Sequence, residues 1–308
     1  MSNLAKWAAW MVAFACGGAI TASAEPVRVV TTIFPLYDWA CAVGGDRVAV
    51  TQLLPPGVEA HSYAPRPSDV FALNRADLFL YLGADLEPWA ADLVRGVENP
   101  RLAVIEAGRE VPRAHGHGGD DEEDDGHDHE ASDPHIWLDP VLAQAVVSTI
   151  AAGLARADPA GAADYAARAD QYNRQLAALH EEIRAGLVNC RHRQILYGGH
   201  FAFGYFARRY GLTHLSPYSG FSPNAAPTPA QMTELVKAIR TSGQTTLFVE
   251  ELLDPKVGRT LAGETGARLE VLHGAHNLTR EERARGDVTY LSLMRENLAK
   301  LRKALGCE

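Results

Sequence analysis

Histidine is the residue type in this sequence whose chemistry stands out. The chain has 12 histidines, and a neutral imidazole is a good ligand for Zn²⁺ and other transition metals. Three have neighbours that restrict the local backbone: His61 follows a Pro-Pro-Gly turn, His135 is flanked by prolines, and His200 follows two glycines. Taken singly, a strand-end histidine is more often a hydrogen-bonded loop residue than a ligand. Since the sequence has no Cys-x-x-Cys pair and no His-Glu-x-x-His motif, any metal site must be assembled from distant parts of the chain.

The N-terminus is typical of a secretory signal peptide. Lys6 precedes an uncharged apolar run, residues 7–20, and small residues at 22–24 precede Glu25. This layout predicts a signal peptide over residues 1–24, cleaved before Glu25. An uncleaved N-terminal anchor is one alternative. A lipoprotein with Cys16 as its first residue is another, although the lipobox leucine is missing. We therefore expect the mature protein in the periplasm.

Three cysteines remain after removal of the signal peptide: Cys41, Cys190 and Cys307. Cysteines of exported proteins can form disulfides. We expect a bridge between Cys190 and Cys307, because both fall in the second half of the chain, and we expect Cys41 to be buried and free. The alternative is that no bridge forms.

The charge of the chain is concentrated in one segment. The formal net charge is −9, which argues against a nucleic-acid-binding protein, since these carry basic surfaces. Residues 115–130 contain eight acidic residues, no Lys or Arg, and four histidines: His115, His117, His127 and His129. With no apolar side chain to bury, this segment is predicted to be a solvated loop.

The rest of the chain alternates strands with helices, which predicts two α/β halves with mostly parallel sheets. The predicted strands are 27–33, 48–54, 78–82, 102–105, 194–197, 212–216, 246–249 and 269–272. The predicted helices are 35–43, one beginning at 68, 87–97, 202–210, 229–241, 255–263 and 287–305. Residues 228–231 (TPAQ) form a capping box that predicts a sharp helix start.

One long helix is predicted between the halves, from Pro159 to Leu187, with Asp158 as its cap. Its apolar residues form one stripe: Tyr165, Tyr172, Leu176, Leu179, Ile183 and Leu187. At 1.5 Å per residue the helix would be about 40 Å long. The predicted organisation is an N-terminal α/β lobe (25–157), a linking backbone helix (158–188) and a C-terminal α/β lobe (189–308). His61 and His200 follow strands from different halves, and such sheets bind ligands at the carboxyl ends of strands, so a site between the lobes is expected.

Three motifs carry a resemblance to a known family. Residues 57–69 (GVEAHSYAPRPSD), 133–140 (DPHIWLDP) and 199–206 (GHFAFGYF) resemble, in order, the ligand motifs of the metal-specific solute-binding proteins of ABC transporters, the zinc/manganese cluster. Residues 248–251 and 264–267 resemble later landmarks, so the resemblance covers essentially the whole mature chain. It implies two α/β lobes joined by one long backbone helix, in agreement with the element pattern.

The resemblance also implies a ligand set. His61, His135 and His200 match the primary metal ligands, and the manganese-binding members carry Glu where this chain has His200, so Zn²⁺ is the expected metal. Relatives supply an Asp as fourth ligand in a position that His273 occupies here, and His273 is therefore the expected fourth ligand. His276, water and Glu59 are alternatives.

The function implied is capture of Zn²⁺ between the lobes and its delivery to the membrane permease of an ABC transporter for high-affinity zinc uptake. The protein would be a monomer and not an enzyme, and a periplasmic zinc donor protein is a second candidate partner. The four histidines of segment 115–130 are expected to capture zinc before it reaches the cleft; the alternative is a solvated insertion without a role. The alternatives for the function are a manganese- or iron-binding member of the same family, a zinc hydrolase, which would need a general base that no residue pattern identifies, although Glu59 is close in sequence, and a surface adhesin.

Overall fold

The structure is a computed structural model that describes residues 25–112, 133–218 and 227–308. The predicted signal peptide and the acidic histidine segment 115–130 therefore lie outside the described residues. The first lobe contains one four-stranded sheet in the order β2-β1-β3-β4, with every neighbouring pair parallel. Its strands are β1 (Val27–Thr31), β2 (Val48–Gln52), β3 (Leu78–Tyr81) and β4 (Ala103–Glu106), and its helices are α1 (Phe34–Gly44), α2 (Pro67–Asn74) and α3 (Trp89–Arg95). The central strands β1 and β3 are mostly buried, as expected for parallel strands covered by helices on both faces.

The second lobe repeats this arrangement. Its strands are β5 (Gln194–Leu196), β6 (Thr213–Leu215), β7 (Thr246–Val249) and β8 (Arg268–Val271). They form two parallel pairs, β5-β6 and β7-β8, and a parallel bridge between Tyr197 and Phe248 links the pairs. The resulting order, β6-β5-β7-β8, is the same as in the first lobe. The prediction of two lobes with parallel sheets is confirmed.

The helices of the second lobe are α6 (Gly204–Arg209), α7 (Pro229–Ser242), α8 (Lys256–Thr265), α9 (Arg280–Arg285) and α10 (Tyr290–Leu305). The capping box predicted at the start of α7 is present, because Thr228 and Gln231 exchange side-chain-to-backbone hydrogen bonds. The sequence did not predict the short helix α9, which begins at a second capping box formed by Thr279 and Glu282.

Two consecutive helices, α4 (Pro140–Ala157) and α5 (Ala162–Leu187), connect the lobes. The predicted long helix is α5, and its predicted apolar stripe is buried. It begins at Ala162, after a short 3-10 turn, Pro159–Gly161, and not at Pro159. Asp158 does not cap it; the Asp158 carboxylate instead accepts hydrogen bonds from the side chains of Arg47 and Tyr165.

The 18-residue helix α4 was not predicted from the sequence. It starts where the Asp139 side chain accepts the backbone N–H of Val141, with Pro140 at the first helical position. Within the described part of the chain, it is the one helix long and apolar enough to cross a membrane. Its apolar face is buried against α1 and α5, so α4 is a core helix of the first lobe.

The cysteines agree with prediction in one respect and differ in another. Cys190 and Cys307 form a disulfide, as expected. Cys41 is not disulfide-bonded, but it is partly exposed rather than buried. The bridge joins the residues just beyond α5 and α10.

Candidate metal centre

Three histidines from distant parts of the sequence meet between the lobes. His61 lies in the loop after β2, His135 precedes a 3-10 turn, Ile136–Leu138, and His200 follows β5. The Nε2 atom of His135 is 3.2 Å from Nε2 of His61 and 3.3 Å from Nε2 of His200. One ligand nitrogen from each of the three lies within 4.8 Å of the others. His135 and His200 are buried and His61 is partly buried, so the group is shielded from bulk water.

A carboxylate stands behind each of the two buried rings. Asp133 Oδ1 is 2.7 Å from His135 Nδ1 and also accepts the backbone N–H of His135 at 3.0 Å. Glu250 Oε1 accepts the backbone N–H of His200 at 2.8 Å. Its Oε2 lies 3.1 Å from His200 Nδ1 without the alignment of a hydrogen bond. A carboxylate facing Nδ1 holds the proton there and leaves the Nε2 lone pair for a metal.

Glycine at position 199 allows this approach of Glu250 to the backbone. A Cβ atom at Gly199 would lie only 2.4 Å from Glu250 Oε1. The glycine directly before His200, which in the sequence only marked a turn, therefore leaves room for the carboxylate that accepts the His200 amide.

Burial keeps the imidazoles of His61 and His135 neutral. Burial, followed by the neighbouring rings of His135, His200 and His276, lowers the pKa of His61 to about 2. Burial also lowers the pKa of His135, although Asp133 opposes the shift. Neutral imidazole is the form that binds a metal ion, so these ligands are ready for a cation at neutral pH without losing a proton.

A fourth histidine, His276, faces the same cavity. The cavity is lined by Glu59, His61, His135, Trp137, Tyr197, His200, Ala202, Glu250, Glu251, Gly274 and His276. His276 Nε2 is buried and has no hydrogen-bond partner among the described residues; the nearest carboxylate oxygen, Glu59 Oε1, is 3.8 Å away. Burial, opposed by Glu251, lowers the pKa of His276 to about 4. A buried ring nitrogen without a hydrogen-bond partner calls for an explanation, and a role as a metal ligand is one.

His273, the expected fourth ligand, does not line this cavity. Its Nδ1 accepts the backbone N–H of Ala275 at 2.9 Å, and its Nε2 is 3.3 Å from Glu282 Oε2. Both ring nitrogens are therefore engaged. The four histidines of segment 115–130 lie outside the described residues.

Comparison with known proteins identifies the family. Residues 29–304 match the family model of ZnuA, the periplasmic component A of the zinc-uptake complex. The chain belongs to this family. It is 31% identical to the high-affinity zinc uptake system protein ZnuA of Bacillus subtilis, with 97% of this chain and 95% of that protein covered.

Solved structures of ZnuA-like proteins have the same fold. The Zn(II)-bound ZnuA-like domain of Streptococcus pneumoniae AdcA superposes with a TM-score of 0.75 at 27% identity, covering 91% of this chain and 99% of that domain. The laminin-binding protein Lmb of Streptococcus agalactiae, described as bifunctional with adhesin and metal-transporting activity, gives a TM-score of 0.80 at 31% identity, covering 91% of this chain and 100% of its own. The two-lobe ZnuA fold is thus shared over 91% of this chain.

Proposed function

We propose that this member of the ZnuA family binds Zn²⁺ between its lobes and delivers it to the permease of an ABC transporter. The observation that carries the proposal is the spacing of the histidine nitrogens. Zn–N bonds of 2.0–2.1 Å at tetrahedral angles place two ligand nitrogens roughly 3.3 Å apart. The two Nε2 separations at His135, 3.2 and 3.3 Å, fit that value.

The 3.3 Å contact between the rings of His135 and His200, each with a carboxylate facing Nδ1, favours a shared cation. Asp133 holds the proton of His135 on Nδ1, so His135 Nε2 presents a lone pair to both neighbouring rings. Lone pairs that point at a common centre repel one another unless a cation lies between them. We infer that His61, His135 and His200 are the primary zinc ligands.

For the fourth position we propose His276 in place of His273. His276 faces the cavity with an unpartnered nitrogen, whereas both nitrogens of His273 have partners. Glu59 is the alternative, because its Oε1 lies near His276 at the cavity wall. A site of three or four imidazoles favours zinc over manganese, which prefers carboxylate and water oxygens.

We further propose a carrier without enzymatic activity, exported to the periplasm after cleavage of residues 1–24. Its family acts in zinc uptake, and the homologue from B. subtilis is named for that process. Capture of zinc by segment 115–130, a zinc donor partner and a monomeric state stay predictions that the structure does not address.

The direct test is a competition titration of zinc against a chromophoric chelator. We expect His200→Ala to weaken zinc binding by more than about 100-fold, beyond the loss typical of residues that only support a ligand. His192→Ala is the matched control, because His192 is a partly exposed histidine of the same lobe outside the cavity. Equal affinities for the wild type and His200→Ala would refute the ligand assignment.

Transport is tested in a bacterial strain that lacks its own zinc carrier. The wild-type protein, expressed together with its permease, should restore growth in chelator-treated medium, and His200→Ala should not. Rescue by manganese in place of zinc would favour the manganese alternative. Zinc-dependent hydrolysis of ester, phosphate or peptide substrates by the purified protein would favour the hydrolase alternative.

A further inference from the structure

A short segment after β8, residues 274–278, crosses from the second lobe onto the first; we call it the crossing segment. Its backbone carbonyls accept hydrogen bonds from residues in the first half of the chain. Gly274 O accepts from Trp137 Nε1 at 2.8 Å, and His276 O accepts from the N–H of Phe34 at 2.8 Å. Leu278 O accepts from the N–H of Gly57 at 2.7 Å.

The crossing segment has a backbone conformation that needs external support. Ala275 has a φ of 57°, the one positive φ at a non-glycine residue among the described residues. A residue with a Cβ atom pays a steric penalty in this left-handed region, so it persists only where the surroundings fix it. Here the turn at Ala275 lies directly before His276, and its conformation decides where the His276 ring points.

Asn277 supplies the most complete of these supports. Its side-chain Nδ2 donates to Pro55 O at 2.7 Å and to Val58 O at 2.8 Å. Its Oδ1 accepts from Gln52 Nε2 at 2.9 Å and from the N–H of Leu278 at 2.9 Å. The carboxamide is 1% exposed, and these four bonds use both of its donors and both of its acceptor lone pairs.

The two segments that Asn277 joins both reach the metal centre. Pro55 and Val58 belong to the loop after β2 that continues to Glu59 and His61, whereas Asn277 follows His276 directly. Fully satisfied buried polar networks hold the groups that they connect in one arrangement. The carboxamide therefore fixes the loop of His61 against the segment of His276, across the boundary between the lobes.

We propose that Asn277 is a positioning residue for zinc, which makes the His61 loop and the His276 segment act as one rigid unit around the ion. This inference rests on the proposed zinc function. The expected consequence is that zinc dissociates slowly because His61 and His276 cannot leave the metal independently of each other.

The test compares Asn277→Ala with Asn99→Ala. Asn99 is a matched control, because its carboxamide also bridges backbone groups, donating to Ala76 O and accepting from the N–H of Arg101, in the first lobe and away from the cavity. Asn277→Ala should raise the zinc dissociation constant about 10- to 100-fold, chiefly through faster release measured by chelator-chase stopped flow. Asn99→Ala should lower the thermal midpoint and leave zinc affinity unchanged.

Two further readouts separate positioning from a general loss of stability. The visible spectrum of Co²⁺ bound in place of Zn²⁺ reports the coordination geometry and should change in Asn277→Ala but not in Asn99→Ala. Amide hydrogen exchange of the metal-free protein should accelerate at Gly57 and Phe34, the two residues that donate backbone hydrogen bonds to the crossing segment.

The outcomes distinguish this inference from the proposed function. If the wild-type protein binds no zinc, the proposed function is wrong. The hydrogen-exchange experiment on the metal-free protein still tests whether Asn277 couples the His61 loop to the crossing segment. If the wild type binds zinc and folded Asn277→Ala binds it equally well, with the same Co²⁺ spectrum, the positioning role is wrong. If Asn277→Ala does not fold, Gln52→Ala takes its place, because it removes the donor to Asn277 Oδ1. Gln52→Ala must then raise the zinc dissociation constant by a smaller factor than expected for Asn277→Ala. An unchanged dissociation constant would overturn the proposal.

Discussion

His273 and His276 lie three residues apart, yet their environments are opposite. His276 has a nitrogen with no hydrogen-bond partner in the described part of the chain and faces the metal cavity, and burial lowers its pKa. His273 has two engaged nitrogens; burial lowers its pKa, but the nearby Glu251 and Glu282 outweigh burial and raise it above the ordinary value. Both side chains are buried, so burial alone does not separate them. Of the two, His276 alone has a ring nitrogen without a partner among the described residues, and we propose it as the ligand for that reason.

The strongest test of this contrast replaces each histidine in turn. We expect His276→Ala to weaken zinc binding about 10- to 100-fold, as loss of a group that completes the site should. His273→Ala should keep wild-type zinc affinity but lower the free energy of unfolding by about 1–3 kcal/mol, because the buried carboxylates lose a partner. Chelator competition and urea unfolding give the two values. If only His273→Ala weakens zinc binding, the comparison is reversed, and His273 is the fourth ligand as predicted from the sequence.

A smaller effect on zinc affinity is expected when the carboxylate behind His135 is removed. Asp133→Asn keeps the shape of the side chain but removes the charge that faces His135 Nδ1 at 2.7 Å. We expect about a tenfold loss of zinc affinity with little change in overall stability. Asp46→Asn, an exposed aspartate of the same lobe, is the control. Unaltered affinity in Asp133→Asn would mean that His135 keeps its ligand tautomer without this carboxylate.

The most indirect test of the contrast is a difference in pH dependence, measured on the metal-free protein in chelator. The folded-state pKa of His276, about 4, lies below the ordinary 6.5. Its neutral form therefore contributes stability above pH 6.5 that is lost as the pH falls toward 4, by up to about 1.4 kcal/mol per pH unit. The difference in the free energy of unfolding between wild type and His276→Ala should therefore shrink as the pH falls from 6.5 toward 4.

His273 should show the opposite sign. Its raised pKa contributes stability below pH 6.5 that is lost as the pH rises through the folded-state value. The difference between wild type and His273→Ala should therefore be larger at pH 5.5 than at pH 8. Urea unfolding at several pH values measures both series. If the free energies of unfolding of the two variants, each taken relative to wild type, change with pH in parallel, the pKa values of the two histidines are not shifted in opposite directions.

Most of the fold could be predicted from the sequence, because alternating strands and helices leave strong local signals. The missing helix α4 also had a clear start, since Asp139 and Pro140 are a cap and a first-turn proline. These two residues are also the last two of the motif around His135. A motif that carries ligands can thus hide the secondary structure that positions them.

The three proposed primary ligands could be singled out from the sequence because prolines and glycines mark the turns that present them. The proposed fourth ligand, His276, could not be preferred over His273, because counting along the chain assumes an ordinary backbone up to that point and beyond. Two tertiary effects separate the histidines: the left-handed turn at Ala275 and the contact of His273 Nε2 with the Glu282 carboxylate. Neither leaves a local signal in the sequence.

The disulfide between Cys190 and Cys307 closes a ring of residues separated by 117 positions, and this ring contains all four strands of the second sheet. A single proteolytic cut anywhere inside the ring would leave both fragments covalently joined. A nicked protein would therefore migrate as one species on a non-reducing gel and as two after reduction. In an environment rich in proteases, the carrier could survive such damage with its second lobe still held together.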